Sequence, residues 1–151
     1  MISTKHLNIS SSYLLKMYQQ IVLRNLEKPK EPNLEHDVFW VCDSFGFNSG
    51  RDLENISSKI ILHLLQQFAE EEHLSSEGIA NKLAITPSRV NHHIRNFVDT
   101  GFLYREKKLI YLKGGSVKSA VNELRKDANR IFDELEIMAE EIDSTLGLKN
   151  R

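Results

Sequence analysis

Five side chains able to hydrogen-bond a base edge or a phosphate fall close together: Ser88, Arg89, Asn91, His92 and Arg95. An arginine guanidinium can fork onto guanine, and an asparagine amide can pair with adenine. Arg105, Lys107 and Lys108 follow shortly after and supply cations of the kind that neutralise phosphate. Chemistry of other kinds finds no footing. There is no phosphate-cradling glycine loop, no supported Ser/His/Asp or Cys/His arrangement, and no paired carboxylates on a recognisable scaffold, so neither an enzyme nor a cofactor is expected. His6, His36, His63 and His73 are scattered without ligand spacing.

The charge distribution agrees with a polyanionic partner once the chain is divided. Residues 75–113 carry 7 Lys/Arg against 3 Asp/Glu, a net of +4, although the whole chain has a formal charge of −1. Residues 1–74 carry 7 against 10, and residues 114–151 carry 6 against 8. The local field, rather than the total, governs encounter with nucleic acid.

These side chains need a scaffold, and the sequence supplies one twice over. Ser75 can cap a short helix ending near Leu83, with Leu74 and Ile79 in the positions of a hydrophobic staple. Thr86 repeats the device, with Pro87 at the first helical position and Ile85 and Val90 as the staple. Two capped helices so close in sequence must turn sharply on each other. Ile79, Leu83, Ile85, Val90, Ile94 and Phe97 fill the angle between them, with small Ala80 at the close approach, which makes a helix-turn-helix. With Val90, Ile94 and Phe97 inward, the second helix (86–100) turns Ser88, His92, Arg95 and Asp99 outward. Arg89, Asn91 and Asn96 flank them, and His93 falls at the edge of the core. Gly101 suits a left-handed C-cap. Two short strands, 102–105 and 109–112, then make a hairpin over 102–113.

The flanking segments are also patterned. Residues 11–27 read as a helix, with Leu14, Tyr18, Ile21 and Val22 on one face, and Pro29 and Pro32 break it. Asn33 can cap a second helix over 34–45 with Leu34, Val38, Val41 and Phe45 at helical spacing. Asp52 or Asn55 can cap a third, to about residue 70, that is apolar over a wide arc (Ile56, Ile60, Ile61, Leu64, Leu65 and Phe68). Phe39, Trp40 and Phe45 are expected in the core or a dimer interface, with the wall of an effector pocket as the other reading. After Gly114-Gly115, residues Val117, Val121, Leu124, Ala128, Ile131, Leu135, Met138 and Ile142 form an unbroken heptad seam. A helix over 117–145 would be roughly 43 Å long, too long for one small domain to cover, so the seam is expected to dimerise.

The run from Gly78 to Ile94, followed by Phe97, Gly101-Phe102-Leu103 and Arg105-Glu106, resembles the winged helix-turn-helix of ArsR and MarR-like regulators. The carriers of the likeness are the small Ala80, the Thr86-started recognition helix, Val90-Asn91-His92-His93-Ile94, and the exit Thr100-Gly101-Phe102-Leu103. Helices before the motif and a long helix after it suit a compact archaeal-type regulator. The chain departs from the metal-sensing ArsR proteins. Cys42 is the single thiol and lies well before the motif, and residues 114–151 contain no histidine, so metal sensing is not expected.

The expected fold is therefore mainly α with a small β-hairpin wing. A helical extension (1–50) leads into a winged helix-turn-helix (51–113), and a coiled-coil-like dimerisation helix (114–151) follows. The expected function is sequence-specific binding of double-stranded DNA by a homodimeric transcription regulator. Ser88, Arg89, Asn91 and His92 would read bases, and Arg95, Arg105, Lys107 and Lys108 would hold phosphates. Room is left for a small-molecule effector of unknown kind. The rivals are a winged-helix protein-interaction module and a sequence-independent architectural DNA binder. One cysteine, no long apolar run and no secretory leader pattern point to a cytoplasmic protein without a membrane partner.

Overall fold

The computed structural model describes residues 19–48 and 54–151. Five helices and one hairpin follow in order: α1 (Leu34–Ser44), α2 (Ile56–Ala69), α3 (Ser76–Leu83), α4 (Pro87–Thr100), β1 (Leu103–Glu106), β2 (Leu109–Leu112) and α5 (Val117–Leu146), with a single 3-10 turn (Lys113–Gly115) before α5. The protein is mainly α with a β-hairpin wing, as the periodicities require.

α2 is the central element because its apolar arc faces neighbours on several sides. Ile56, Ile60, Ile61 and Leu64 are all buried. Ile79 and Ala80 of α3 and Val90, Ile94 and Phe97 of α4 close the tri-helical angle against it. Phe102, Leu103, Ile110 and Leu112 of the hairpin, and Ala120 and Leu124 of α5, complete the same core. α1 is not a detached extension. Val38 and Cys42 are buried in that core, and Phe47, just beyond α1, meets Phe97 edge-on at 4.8 Å and Phe102 at 5.9 Å. Leu34, read above as part of the apolar face of α1, is exposed.

The helix expected over 11–27 is not formed in its described part. Residues 19–29 form neither helix nor strand, whereas residues 11–18, including Leu14 and Tyr18, lie outside the described residues. This segment is a strap with partners far along the chain. Gln19 Nε2 donates to the Thr100 carbonyl (3.1 Å) and to Asp127 Oδ2 (2.9 Å). The Arg24 amide donates to the Ser44 carbonyl (2.8 Å), and Trp40 Nε1 donates to the Leu26 carbonyl (3.3 Å). Helix propensity differs among ordinary residues by only a few tenths of a kcal/mol each, so tertiary hydrogen bonds and the packing of Ile21 on the core outweigh it.

Capping follows the sequence closely. Asn33, Ser75, Thr86 and Ser116 each accept a backbone N–H from three residues on. Asn55 stands at the cap of α2 but in a left-handed conformation, and its side chain makes no capping bond; Asp52, the other candidate, is outside the described residues. The hairpin pairs Leu103 with Leu112 and Tyr104 with Tyr111 in antiparallel register, and its tip is Lys107-Lys108. α5 runs for 30 residues and leaves the domain halfway: beyond Arg130 every residue is exposed.

Candidate nucleic-acid interface

The α3–α4 turn is built from local signals. Ala84 ends α3 in the left-handed region (φ +54°), and the Ile85 amide reaches back to the Ala80 carbonyl (3.1 Å). Thr86 Oγ1 then accepts from the Arg89 amide (3.3 Å), so α4 starts at Pro87 with its N-terminal turn outside the core. Gly101 closes α4 at φ +94°, a conformation that costs glycine nothing sterically. A Cβ there would stand 3.2 Å from Gln19 Nε2 and 3.4 Å from Leu124 Cδ2, so strap, α4 and α5 converge at this position.

The outward face of α4 contains the side chains expected there. Ser88, Arg89, His92 and Arg95 are exposed and Asn91 is half-buried; Asn96 and Asp99 are exposed on the same helix. Arg105, Lys107 and Lys108 are exposed on the wing. Strand alternation places Leu103 in the core and Arg105 on the same side, toward α4. There Arg105 Nη2 donates to Asn91 Oδ1 at 3.0 Å, a bond from wing to helix. A guanidinium only donates, so the amide oxygen must face the wing, and Asn91 Nδ2 faces away from Arg105. At the other end of the face, Arg89 Nη2 lies 3.5 Å from Glu54 Oε2 in front of α2.

His93 is buried and faces inward, the position expected of a core-edge histidine. Ser57 Oγ lies 2.8 Å from His93 Nδ1 and 2.8 Å from the Phe47 carbonyl. The carbonyl can only accept, so the single hydroxyl proton goes to it and His93 Nδ1–H donates to Ser57. That tautomer ties α4 to α2 and to the turn after α1.

Two groups escaped the sequence reading. Tyr104 and Tyr111 stack across the hairpin at 5.3 Å, His73 lies tilted against Tyr111 at 4.4 Å, and Lys113 stands 5.9 Å above the Tyr104 ring. The period-two pattern could have paired the tyrosines, whereas His73 is brought to them by the loop after α2. Glu54 was unforeseen because its partner is thirty-five residues away. Phe45 packs on the core, and Phe39 and Trp40 wall an open cleft of about 530 Å³ between α1 and residues 26–30.

Among the described residues, no helix is long and apolar enough to cross a membrane. No curated protein and no solved structure matches the chain. Residues 57–104 match a family model described as winged helix-turn-helix DNA-binding. That stretch takes in nearly all of α2, the whole of α3 and α4, and the entry into the wing, so the chain carries a winged helix-turn-helix domain of the DNA-binding kind.

Proposed function

We propose that this protein is a sequence-specific transcription regulator that binds double-stranded DNA as a homodimer, with α4 in the major groove and the wing on the flanking backbone. The observation that carries this reading is the solvent face of α4. Ser88, Arg89, Asn91, His92 and Arg95 stand outward on a capped helix whose opposite side is locked into the core. Residues near the start of such a helix reach base edges. Ser88, Arg89, Asn91 and His92 therefore read sequence, while Arg95, Arg105, Lys107 and Lys108 neutralise phosphates. The homodimer is supported by the seam of α5, whose Ile131, Leu135, Met138 and Ile142 are exposed in the single chain. The likeness to ArsR and MarR-like regulators of archaeal type is part of this reading, as is a cytoplasmic location. The cleft beside Phe39 and Trp40, lined also by Lys28, Lys30, Glu27 and Asp43, is the place this reading gives to a small-molecule effector of unknown kind.

The test is a titration against genomic DNA fragments, including the protein's own promoter, at two salt concentrations with non-specific competitor. Retention of one fragment through competitor is expected. Uniform, steeply salt-dependent binding would establish an architectural binder, and no binding at low salt would move the function to protein interaction.

A further inference from the structure

The free half of α5 carries a charge pattern that selects how two copies can pair. Residues 131–146 contain six acidic side chains and no Lys or Arg, whereas residues 117–130 contain Lys118, Arg125, Lys126 and Arg130 against Glu123 and Asp127. Lys126 pairs with Glu123, and Arg130 with Asp127, within the helix. That leaves Lys118 and Arg125 in the first half and, of the six unpaired acids in the second, Glu136 and Asp143 in line with them, all four exposed and, among the described residues, in no ion pair. Their spacings of 7, 11 and 7 residues return them to one side of a helix with 3.6 residues per turn. This charged row borders the apolar stripe.

From this row, and resting on the homodimer proposed above, we infer that two copies of α5 pair antiparallel about a two-fold axis near Arg130 and Ile131, with Lys118 facing Asp143 and Arg125 facing Glu136 of the second copy. The midpoint of Lys118 and Asp143 coincides with that of Arg125 and Glu136, so one register satisfies both pairs on both sides of the axis. With partners two residues from direct opposition, the same antiparallel pairing brings Val121 beside Met138 and Ala128 beside Ile131. Ala120 and Leu124 are already buried on their own domain. The second copy therefore approaches the first half of α5 from the flank of half-buried Val121 and Ala128 and covers the exposed stripe of the second half. A parallel pair in register would set Lys118 against Lys118 and Glu136 against Glu136, and would juxtapose two wholly acidic segments. The antiparallel pair sends the two winged domains to opposite ends of the helix pair, with the two-fold axis across the helices rather than along them.

The experiment uses the full chain with Lys118→Cys and Asp143→Cys and a short bismaleimide, with the wild type (Cys42 is buried) as the blank. An equal mixture of the two variants should cross-link to a covalent dimer, and Lys118→Cys alone should not, because its two copies would lie about 37 Å apart. In parallel, Arg125→Glu and Glu136→Arg should each weaken dimerisation about tenfold, and the doubly substituted chain should recover it. A wild type that is monomeric by light scattering overturns the homodimer itself. A dimer in which Lys118→Cys cross-links to itself, or in which no combination cross-links and the charge reversals have no effect, overturns only the antiparallel pairing.

Discussion

Arg105 Nη2 donates to Asn91 Oδ1 across 3.0 Å, so the wing orients the amide of a side chain on the solvent side of α4. The amide oxygen is drawn toward the wing and Nδ2 is held out, which favours a base that offers an acceptor to Asn91. On the proposed binding of DNA, Arg105→Ala should therefore do two things: lower affinity with a salt slope smaller by about one, and relax discrimination at the base proposed to face Asn91. Binding-site selection from randomised duplexes checks the second effect. A double-mutant cycle of Arg105→Ala with Asn91→Ala should return a coupling of about 0.5–3 kcal/mol; strict additivity would mean that the bond contributes nothing to recognition.

Arg89 is held back by a carboxylate. Its Nη2 is 3.5 Å from Glu54 Oε2, and both side chains are at least half exposed (50% and 67%). An ion pair so wet is worth about 0.2–1 kcal/mol, but it must be broken for the guanidinium to reach a guanine. Glu54→Gln should tighten DNA binding about two- to fivefold at low salt, with the gain fading as salt rises. Arg89→Ala should cost about 1–3 kcal/mol at a cognate site. Fluorescence anisotropy on one operator duplex measures both, and a Glu54→Gln variant that binds more weakly would reverse the assignment.

The legibility of these features in the sequence divides along a physical line. Thr86-Pro87 and Gly101 act within a few residues of themselves, so the limits of the recognition helix could be read directly, and the alternation of Leu103, Tyr104 and Arg105 implied the wing. The outward set on α4 followed from the burial of Val90, Ile94 and Phe97. The strap failed to be legible because residues 19–27 satisfy their backbone and side chains on Ser44, Thr100 and Asp127, partners that no local window contains. Arg105–Asn91 and Arg89–Glu54 were hidden for the same reason. Each residue was assignable to DNA from its type, but its partner in the protein depends on how wing and α2 pack around α4.

Backbone strain marks two positions where stability should respond in opposite directions. Ala84 occupies the left-handed region (φ +54°) at an exposed turn, a conformation that costs an L-residue about 1–2 kcal/mol and glycine none. Ala84→Gly should raise stability by about 0.5–1 kcal/mol after the entropy of glycine in the unfolded chain is offset. Gly101→Ala should lower it by more than that, since its Cβ would enter at φ +94° and crowd Gln19 and Leu124. Urea unfolding midpoints with unchanged slopes would report both directly.

His63 provides the pH dependence. Its Nε2 is buried without a hydrogen-bond partner among the described residues, and burial first, with the nearby Lys82 ammonium second, lowers its pKa from the ordinary 6.5. The unfolded chain therefore takes up a proton at a higher pH than the folded one. Stability from this group is fully present above pH 6.5 and is lost as the pH falls from there toward the lowered folded value. Thermal unfolding followed from pH 7.5 down to 5 should show the midpoint falling, and His63→Gln should flatten that fall while leaving DNA binding at neutral pH intact, because His63 belongs to α2, near Lys82 of α3, and is not among the outward residues of α4. An identical fall in the variant would place the acid sensitivity elsewhere in the chain.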